Sequence, residues 1–182
     1  MLKVCDNPGM QAHTFFKVIT MDEADLLERL VTLFDEQHIA YCVIGGQGVN
    51  AYVEPLVSLD LDVVIAAHQL AEVEGLLAQS FSLKRFPHSL NVAAPNSDLR
   101  VQIQTDARYA DFPARASVRE VLGRPLRVAA LEDVLQGKIW AALDPERRGS
   151  KRQKDLADIA RLIEAYPQLR ERVPAEILER LL

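Results

Sequence analysis

Residues 41–65, YCVIGGQGVNAYVEPLVSLDLDVVI, decide the fold of this 182-residue chain. An apolar run ends at the pair Gly45-Gly46, and thirteen residues separate Gly46 from Asp60. Asp60 and Asp62 then lie inside a second apolar run. Both runs have the β-branched content of buried strands, in which aspartate is uncommon. Two acids within a strand, with a glycine pair at this distance before them, therefore indicate a functional site.

The two aspartates are spaced so that they share one environment. Side chains alternate along a strand, so Asp60 and Asp62 point to one face, with Cα atoms about 6–7 Å apart, while Leu61 points into the core. Two carboxylates this close repel each other in a partly dry setting unless a cation lies between them. Magnesium prefers oxygen ligands and completes its shell with water and phosphate, which is the chemistry of two-metal phosphoryl transfer. The alternative is that the acids only keep an edge strand soluble.

The glycine pair predicts an anion-binding corner. A short helix is predicted over residues 47–54, so Gly45 and Gly46 join the first strand to it. Backbone N–H groups at such a corner lack partners and bind phosphate oxygens, and glycine lets the backbone approach because it has no Cβ. A triphosphate would then rest on the corner while its metal ion is held by the aspartates. The alternative is that the pair is only a turn.

The rest of the pattern predicts an α/β fold: a twisted mixed sheet flanked by helices, with a C-terminal helical segment. Helices are predicted over residues 21–37, after a capping box at Thr20–Glu23, and over 68–80, 131–143, 151–165 and 174–182; strands are predicted over 39–44, 58–66, 89–94, 99–105 and 126–130. The turn residues at 95–98 predict that 89–94 and 99–105 pair antiparallel. We expect an α/β core with an N-terminal extension over 1–130 and a helical segment packed on it over 131–182.

Composition limits the cellular compartment and the class of protein that we expect. No apolar run reaches the 18–20 residues that cross a membrane, and the N-terminus lacks a signal-peptide pattern. Cys42 lies in an apolar strand far from Cys5, so we expect a buried thiol and a reducing cytoplasm. The net charge of −5 disfavours a general nucleic-acid coat protein, yet residues 147–154, RRGSKRQK, carry five cations. That run is either a solvated loop and helix start or a patch for phosphates.

Residues 41–65 resemble the signature of the nucleotidyltransferase superfamily related to DNA polymerase β: an apolar strand, Gly-Gly or Gly-Ser, a short spacer, and Asp-x-Asp between apolar residues. The later segments LEDVLQGKIWAAL and RRGSKRQKDLADIARLI resemble the helical half of its abortive-infection and toxin-type branch. In that branch a lysine in one helix precedes a basic loop and a Lys-Asp-x-x-Asp-Ile helix. The matching positions are Lys138, Lys154, Asp155 and Asp158. The resemblance covers residues 22–165.

The resemblance implies a nucleotide site. Asp60 and Asp62 would hold Mg²⁺, Gly45 and Gly46 would contact the nucleotide phosphates, and Lys138 would neutralise phosphate charge.

It also implies an activity. A hydroxyl would attack the α-phosphate of a nucleoside triphosphate such as ATP and release pyrophosphate, with Asp155 orienting Lys138 or the acceptor. The acceptor would be a tRNA end, a protein or a small molecule, and an antitoxin would be a partner. The alternatives are that Lys138 lies on a solvated helix face or is a snorkelling side chain, and that Asp155 and Asp158 are only helix N-terminal acids favoured by the helix dipole.

One part of the superfamily pattern is missing. Fully equipped members carry a third carboxylate on a later strand, where this chain has Gln102 or Gln104. Glutamine can offer its carbonyl oxygen to a metal but cannot act as a base. Asp98 and Asp106 bracket the strand and are possible substitutes. The loss favours an alternative function, a degenerate and non-catalytic member that binds a nucleotide or a partner.

Overall fold

The computed structural model describes residues 26–95 and 97–181, and these form a mixed β-sheet with helices on both faces. The strands in this part of the chain are β1 (Tyr41–Ile44), β2 (Asp60–Ile65), β3 (Ser82–Phe86), β4 (Ser89–Ala93), β5 (Arg100–Gln104), β6 (Ser117–Val121) and β7 (Arg124–Val128). The α-helices are α1 (described over 26–36), α2 (Gly45–Asn50), α3 (Leu70–Leu77), α4 (Leu131–Leu143), α5 (Gly149–Ala165) and α6 (Ala175–Leu181). The predicted α/β architecture is confirmed, whereas the capping box at Thr20–Glu23 lies outside the described residues.

The strand that carries the aspartates lies inside the sheet. The strand order is β3-β4-β5-β2-β1-β7-β6. Strand β2 pairs antiparallel with β1 and parallel with β5, and β1 pairs parallel with β7. The interpretation of Asp60 and Asp62 as an edge-strand solubility device is therefore wrong, because both edges of β2 are occupied.

Alternation along β2 separates the core from the site. Leu61 and Val63 are buried against α1 in one apolar cluster. Val64 belongs to the cluster on the opposite face, which also contains apolar residues of α4, α5 and α6. Asp60 and Asp62 have the parity of Val64, so they face α4 and α5. Full burial of one such apolar side chain stabilises a fold by roughly 1.5–3 kcal/mol, and a one-residue slip would exchange the faces, so the core fixes where the aspartates point.

Several sequence predictions are confirmed. Strands β4 and β5 pair antiparallel, helix α4 has the predicted bounds, and Cys42 is buried. No helix in the described part of the chain is long and apolar enough to span a membrane. The division of the chain at residue 130 and the cytoplasmic location remain predictions.

Other predictions are corrected. Helix α2 begins at Gly45 rather than after the glycine pair, and it ends at Asn50 because the Asn50 side chain exchanges hydrogen bonds with the backbone of Leu56. Helix α3 is shorter than predicted, since residues 67–69 form a separate 3₁₀ turn. Strand β6 was not predicted. It joins β7 through Leu122 and Gly123, which both have positive φ, as two-residue hairpin turns require.

Candidate active site

A cleft of about 470 Å³ opens between the central strands of the sheet and helices α4 and α5. Its ionisable lining comprises the acids Asp60, Asp62, Asp106, Asp144 and Asp155, the cations Arg100, Arg108, Lys138, Arg147, Arg148, Lys151 and Lys154, and His88. Gly45 and Gly46 also line it, so the residues expected to hold Mg²⁺, to contact the phosphates or to act in catalysis, namely Gly45, Gly46, Asp60, Asp62, Lys138 and Asp155, all line one cleft. Cations outnumber acids here although the whole chain has a net charge of −5, which suits an anionic ligand.

The carboxylates of β2 sit at the floor of the cleft. Asp60 is about one-third exposed, with Arg100 Nε 3.6 Å from Oδ1 and Lys151 Nζ 3.7 Å from Oδ2. Burial raises the pKa of Asp62; Lys138 opposes that shift and Asp60 adds to it. The ionised form of Asp62 is therefore costly until a cation compensates it.

These residues fit a hard divalent cation that is shared with a phosphate. No group of three or more His, Cys, Asp or Glu side chains suited to a metal occurs in residues 26–95 and 97–181. Two carboxylates on one strand face fit Mg²⁺, which commonly takes one or two protein carboxylates and completes its shell with water and substrate phosphate. The donor set therefore suits a metal that arrives with a nucleotide, not an all-protein metal cage.

Of the two glutamines at the expected place of the third carboxylate, Gln102 is the one beside Asp62. In the parallel pairing of β2 and β5, Gln102 lies directly beside Asp62, and both line the cleft. Gln104 lies beside Val64 instead, and its side-chain oxygen accepts hydrogen bonds from the backbone N–H groups of Thr105 and Asp106. The side chain beside Asp62 on the neighbouring strand is therefore a neutral amide, not a carboxylate.

Neither of the two acids proposed as substitutes is the residue beside Asp62 in the sheet register. Asp106 lines the cleft, but its carboxylate accepts hydrogen bonds from the backbone and side chain of Arg108, which lower its pKa. Asp98 is exposed and does not line the cleft.

The two glycines differ in what they contact. Gly45 has φ +64°, and a Cβ placed on it would overlap Asp62 Oδ2 and lie 2.8 Å from Asp62 Cγ. A Cβ on Gly46 would meet nothing nearer than Lys154 Nζ and Ser58 Oγ, each 3.8 Å away. Gly45 thus lets the backbone pack against an aspartate, whereas at Gly46, which lines the cleft, a Cβ would make only ordinary van der Waals contacts.

Lys138 is held in a buried cluster of charges. Its Nζ lies 3.0 Å from Asp155 Oδ1 and 2.7 Å from Asp158 Oδ2, and the three residues are 6%, 1% and 3% exposed. Burial lowers the pKa of Lys138, but the charges of Asp158 and Asp155 raise it by more than burial lowers it. The net pKa is therefore above its usual value and the ammonium stays charged. Arg147 also contacts Asp155. The interpretation of Lys138 as solvated or snorkelling is wrong, because its side chain is buried. The interpretation of Asp155 and Asp158 as helix N-terminal acids is also wrong, because both lie beyond the first turn of α5.

Arg161 extends this cluster to the loop before β2. Its guanidinium lies 2.8 Å from Asp158 and donates hydrogen bonds to Asn50 and to the Glu54 carbonyl. Gln47 also donates a hydrogen bond to the backbone of that loop, at Ser58. Sequence reasoning missed these positioning residues. The i,i+3 spacing of Asp158 and Arg161 was an available signal.

Trp140 lies at the wall of the cleft and packs on the core. Its ring contacts Tyr109 and Phe112 at centroid distances of 5.2 and 6.0 Å, and Arg108 covers it at 5.1 Å. The ring is therefore anchored by apolar packing.

The fold and this arrangement define a protein of the nucleotidyltransferase class. More particularly, residues 51–181 match the family described as the nucleotidyl transferase AbiEii toxin of a type IV toxin–antitoxin system, and the chain belongs to that family. The resemblance to the toxin-type branch is thereby confirmed. A search of curated proteins gives no match.

Solved structures agree on the fold. ANT(2'')-Ia in complex with adenylyl-2''-tobramycin is 14% identical, with a TM-score of 0.60 over 87% of this chain and 98% of that chain. JHP933 from Helicobacter pylori is 20% identical, with a TM-score of 0.51 over 89% of this chain and 72% of that one. The lincosamide antibiotic adenylyltransferase LnuA, bound to lincomycin, is 13% identical, with a TM-score of 0.50 over 75% and 95%.

Proposed function

We propose that this protein is a magnesium-dependent nucleotidyltransferase that moves a nucleoside monophosphate from a nucleoside triphosphate to a hydroxyl acceptor. One observation carries the proposal: Asp60 and Asp62 lie on one face of β2, beside the Gly45-Gly46 corner, in a cleft with a surplus of cations. Membership of a nucleotidyl transferase toxin family supports it.

Asp60 and Asp62 would hold Mg²⁺ against the triphosphate, and the bound ion would supply charge neutralisation at the phosphate oxygens. The acceptor oxygen bonds to the α-phosphorus, the bond to the bridging oxygen breaks, and pyrophosphate leaves. The acceptor's proton passes to solvent; the amide of Gln102 is not a base and has no part in this transfer. Catalysis of this kind rests mainly on positioning and charge stabilisation, which the cleft's fixed cations provide.

Lys138 and Asp155 retain the roles that the resemblance implies. Lys138 lines the cleft as a cation and adds positive charge behind Asp62. Asp155, 3.0 Å from its Nζ, fixes where that charge lies. Because two buried carboxylates contact Lys138, its ammonium would stay in one position. It would therefore attract phosphate electrostatically from that position and would not move to meet it.

The basic run at 147–154 supports an acceptor that itself carries phosphate. Arg147, Arg148, Lys151 and Lys154 from this run line the cleft. A tRNA end fits this charge best among the acceptors considered, which also include a protein and a small molecule. Family membership supports a toxin role with an antitoxin partner. Growth arrest on expression, relieved by the product of an adjacent gene for a small DNA-binding protein, would support that role; harmless expression would count against it.

The direct test is transfer of labelled nucleotide. Purified protein is incubated with Mg²⁺, each α-labelled nucleoside triphosphate, and total cellular RNA or protein. We expect labelled product from the wild type and none from the Asp60→Ala/Asp62→Ala variant. Asp35→Ala is the matched control, since Asp35 is exposed on α1 and lies outside the cleft. Equal label with wild type and the double variant would refute the proposal.

A second candidate is a non-catalytic member that binds a nucleotide, which the neutral Gln102 beside Asp62 favours. Calorimetry separates the two functions. Tight nucleotide binding that is unchanged by Mg²⁺, with no transfer product, would favour the binding protein. Binding that strengthens with Mg²⁺ would favour the enzyme.

A further inference from the structure

Lys154 stands apart from the other cations of the cleft by its position. It lies on α5, with its Nζ 3.8 Å from where a Cβ of Gly46 would be, a place that Ser58 Oγ also approaches to 3.8 Å. Lys154, Ser58 and Gly46 all line the cleft. An ammonium and a hydroxyl thus converge on a point that a glycine leaves open.

Among the cations that line the cleft, Lys154 and Arg148 have no acidic partner within the described ranges 26–95 and 97–181, and of these two Lys154 is the one beside Gly46. Lys138 is shared by Asp155 and Asp158, Arg147 contacts Asp155, and Lys151 lies 3.7 Å from Asp60. The Lys154 side chain is exposed. Its ammonium therefore needs no exchange of partners before it binds an anion, and its three donors can be directed at phosphate oxygens.

The strand order sets which part of a nucleotide would reach this point. Strand β2 lies between β5, which carries Gln102, and β1, which leads directly into Gly45 and Gly46. Asp60 and Asp62 thus separate a β5 side from a Gly46 side. In-line transfer requires the attacking and leaving oxygens on opposite sides of the α-phosphate. The α-phosphate would lie next to the aspartates, because they would hold its metal ion. One side would take the leaving pyrophosphate, and Lys154 is on the Gly46 side.

We propose that Lys154, with the Ser58 hydroxyl, binds the terminal phosphates of the nucleoside triphosphate over the open face of Gly46. Lys154 is then the residue that distinguishes a triphosphate from a monophosphate, while Lys138 serves as a fixed charge deeper in the cleft. This assignment rests on the proposed function, because it concerns the same nucleotide. It leaves the β5 side, lined by Gln102, Asn91 and His88, for the acceptor.

The test measures binding to the full-length protein in Mg²⁺. The probes are the non-hydrolysable α,β-methylene analogues of the four ribonucleoside triphosphates, followed by the monophosphate of the one that binds best. A hydrogen bond to a charged group contributes enough that Lys154→Gln should weaken triphosphate binding about tenfold or more, with monophosphate binding within about twofold of wild type. Lys154→Arg should retain much of the preference. Lys84→Gln, an equal charge change on exposed β3, is the matched control and should bind like wild type.

The outcomes separate the two claims. If the wild type binds no triphosphate analogue, the proposed function and this assignment both fail. If the wild type prefers triphosphate and Lys154→Gln keeps the same preference, the assignment is overturned while the proposed function stands. An equal loss of triphosphate and monophosphate binding in Lys154→Gln, with an unchanged unfolding temperature, would also overturn it, because the residue would not then act on the terminal phosphates.

Discussion

Replacing each of the two corner glycines by alanine should have opposite effects on stability. At Gly45, φ is +64°, a conformation that costs an alanine about 1–2 kcal/mol. The new Cβ would also lie 2.8 Å from Asp62 Cγ, so the aspartate would have to move. At Gly46 the new Cβ would meet only ordinary contacts at 3.8 Å, and alanine is favoured over glycine in a helix by up to about 1 kcal/mol.

Thermal unfolding of the metal-free protein checks this contrast. In a domain of this size, 1 kcal/mol shifts the unfolding temperature by about 2–4 °C. We expect Gly45→Ala to unfold several degrees below wild type and Gly46→Ala to unfold at or slightly above it. Both variants should lose affinity for a non-hydrolysable triphosphate: the first because Asp62 is displaced, the second because a methyl group occupies the phosphate's place. A Gly46→Ala protein that binds the analogue as tightly as wild type would refute the phosphate corner. An unperturbed Gly45→Ala would refute the packing of Gly45 on Asp62.

Three further changes probe the charges. Lys138→Met should lower the free energy of unfolding by about 3 kcal/mol, because it leaves buried carboxylates short of a partner. The substitution should also remove one contribution to the pH dependence of the free energy of unfolding. Burial lowers the pKa of Lys138 but the carboxylates outweigh it, so this stabilisation is complete below pH 10.5 and is lost as pH rises through the raised pKa. Asp62→Asn should leave the metal-free protein as stable as wild type or more so, since it removes a costly carboxylate beside Asp60, and it should abolish stabilisation by Mg²⁺ with triphosphate. Gln102→Glu should increase stabilisation by Mg²⁺ alone, because a third carboxylate then lies beside Asp62.

The outcomes that contradict these expectations are distinct. Denaturant unfolding of Lys138→Met within about 0.5 kcal/mol of wild type would show that the cluster is not coupled to the fold. A metal-free Asp62→Asn protein that unfolds several degrees below wild type would show that the carboxylate has a structural role. An unchanged Mg²⁺ effect in Gln102→Glu would place residue 102 outside the metal's reach.

The residue pattern within single strands and turns was enough to predict which residues of β2 share a face and that β4 and β5 pair. Alternation along a strand placed Asp60 and Asp62 on one face, and the structure has both on the face opposite Leu61. The paired strands β4 and β5 followed from turn residues and period. The helix start at Gly45 was not predicted, because a glycine pair after a strand usually indicates a turn. In the structure Gly45 has positive φ and begins the helix directly after β1.

The charge cluster depends on how distant elements meet. The spacing of Asp155 and Asp158 places both on one face of α5, but nothing local shows that Lys138 of α4 lies against that face. Only the crossing of α4 and α5 makes the pair a buried clamp on one lysine. Similarly, the choice between the two glutamines of β5 needed the register, which puts Gln102 beside Asp62.

The central claim is tested most directly by a crystal structure of the full chain with Mn²⁺ and the preferred α,β-methylene triphosphate. Mn²⁺ gives an anomalous signal and takes the oxygen ligands that Mg²⁺ takes. The account predicts an anomalous peak bonded to carboxylate oxygens of Asp60 and Asp62 and to a phosphate oxygen, with the terminal phosphates over Gly46. A nucleotide bound elsewhere, or bound in the cleft with no metal at the aspartates, would contradict it.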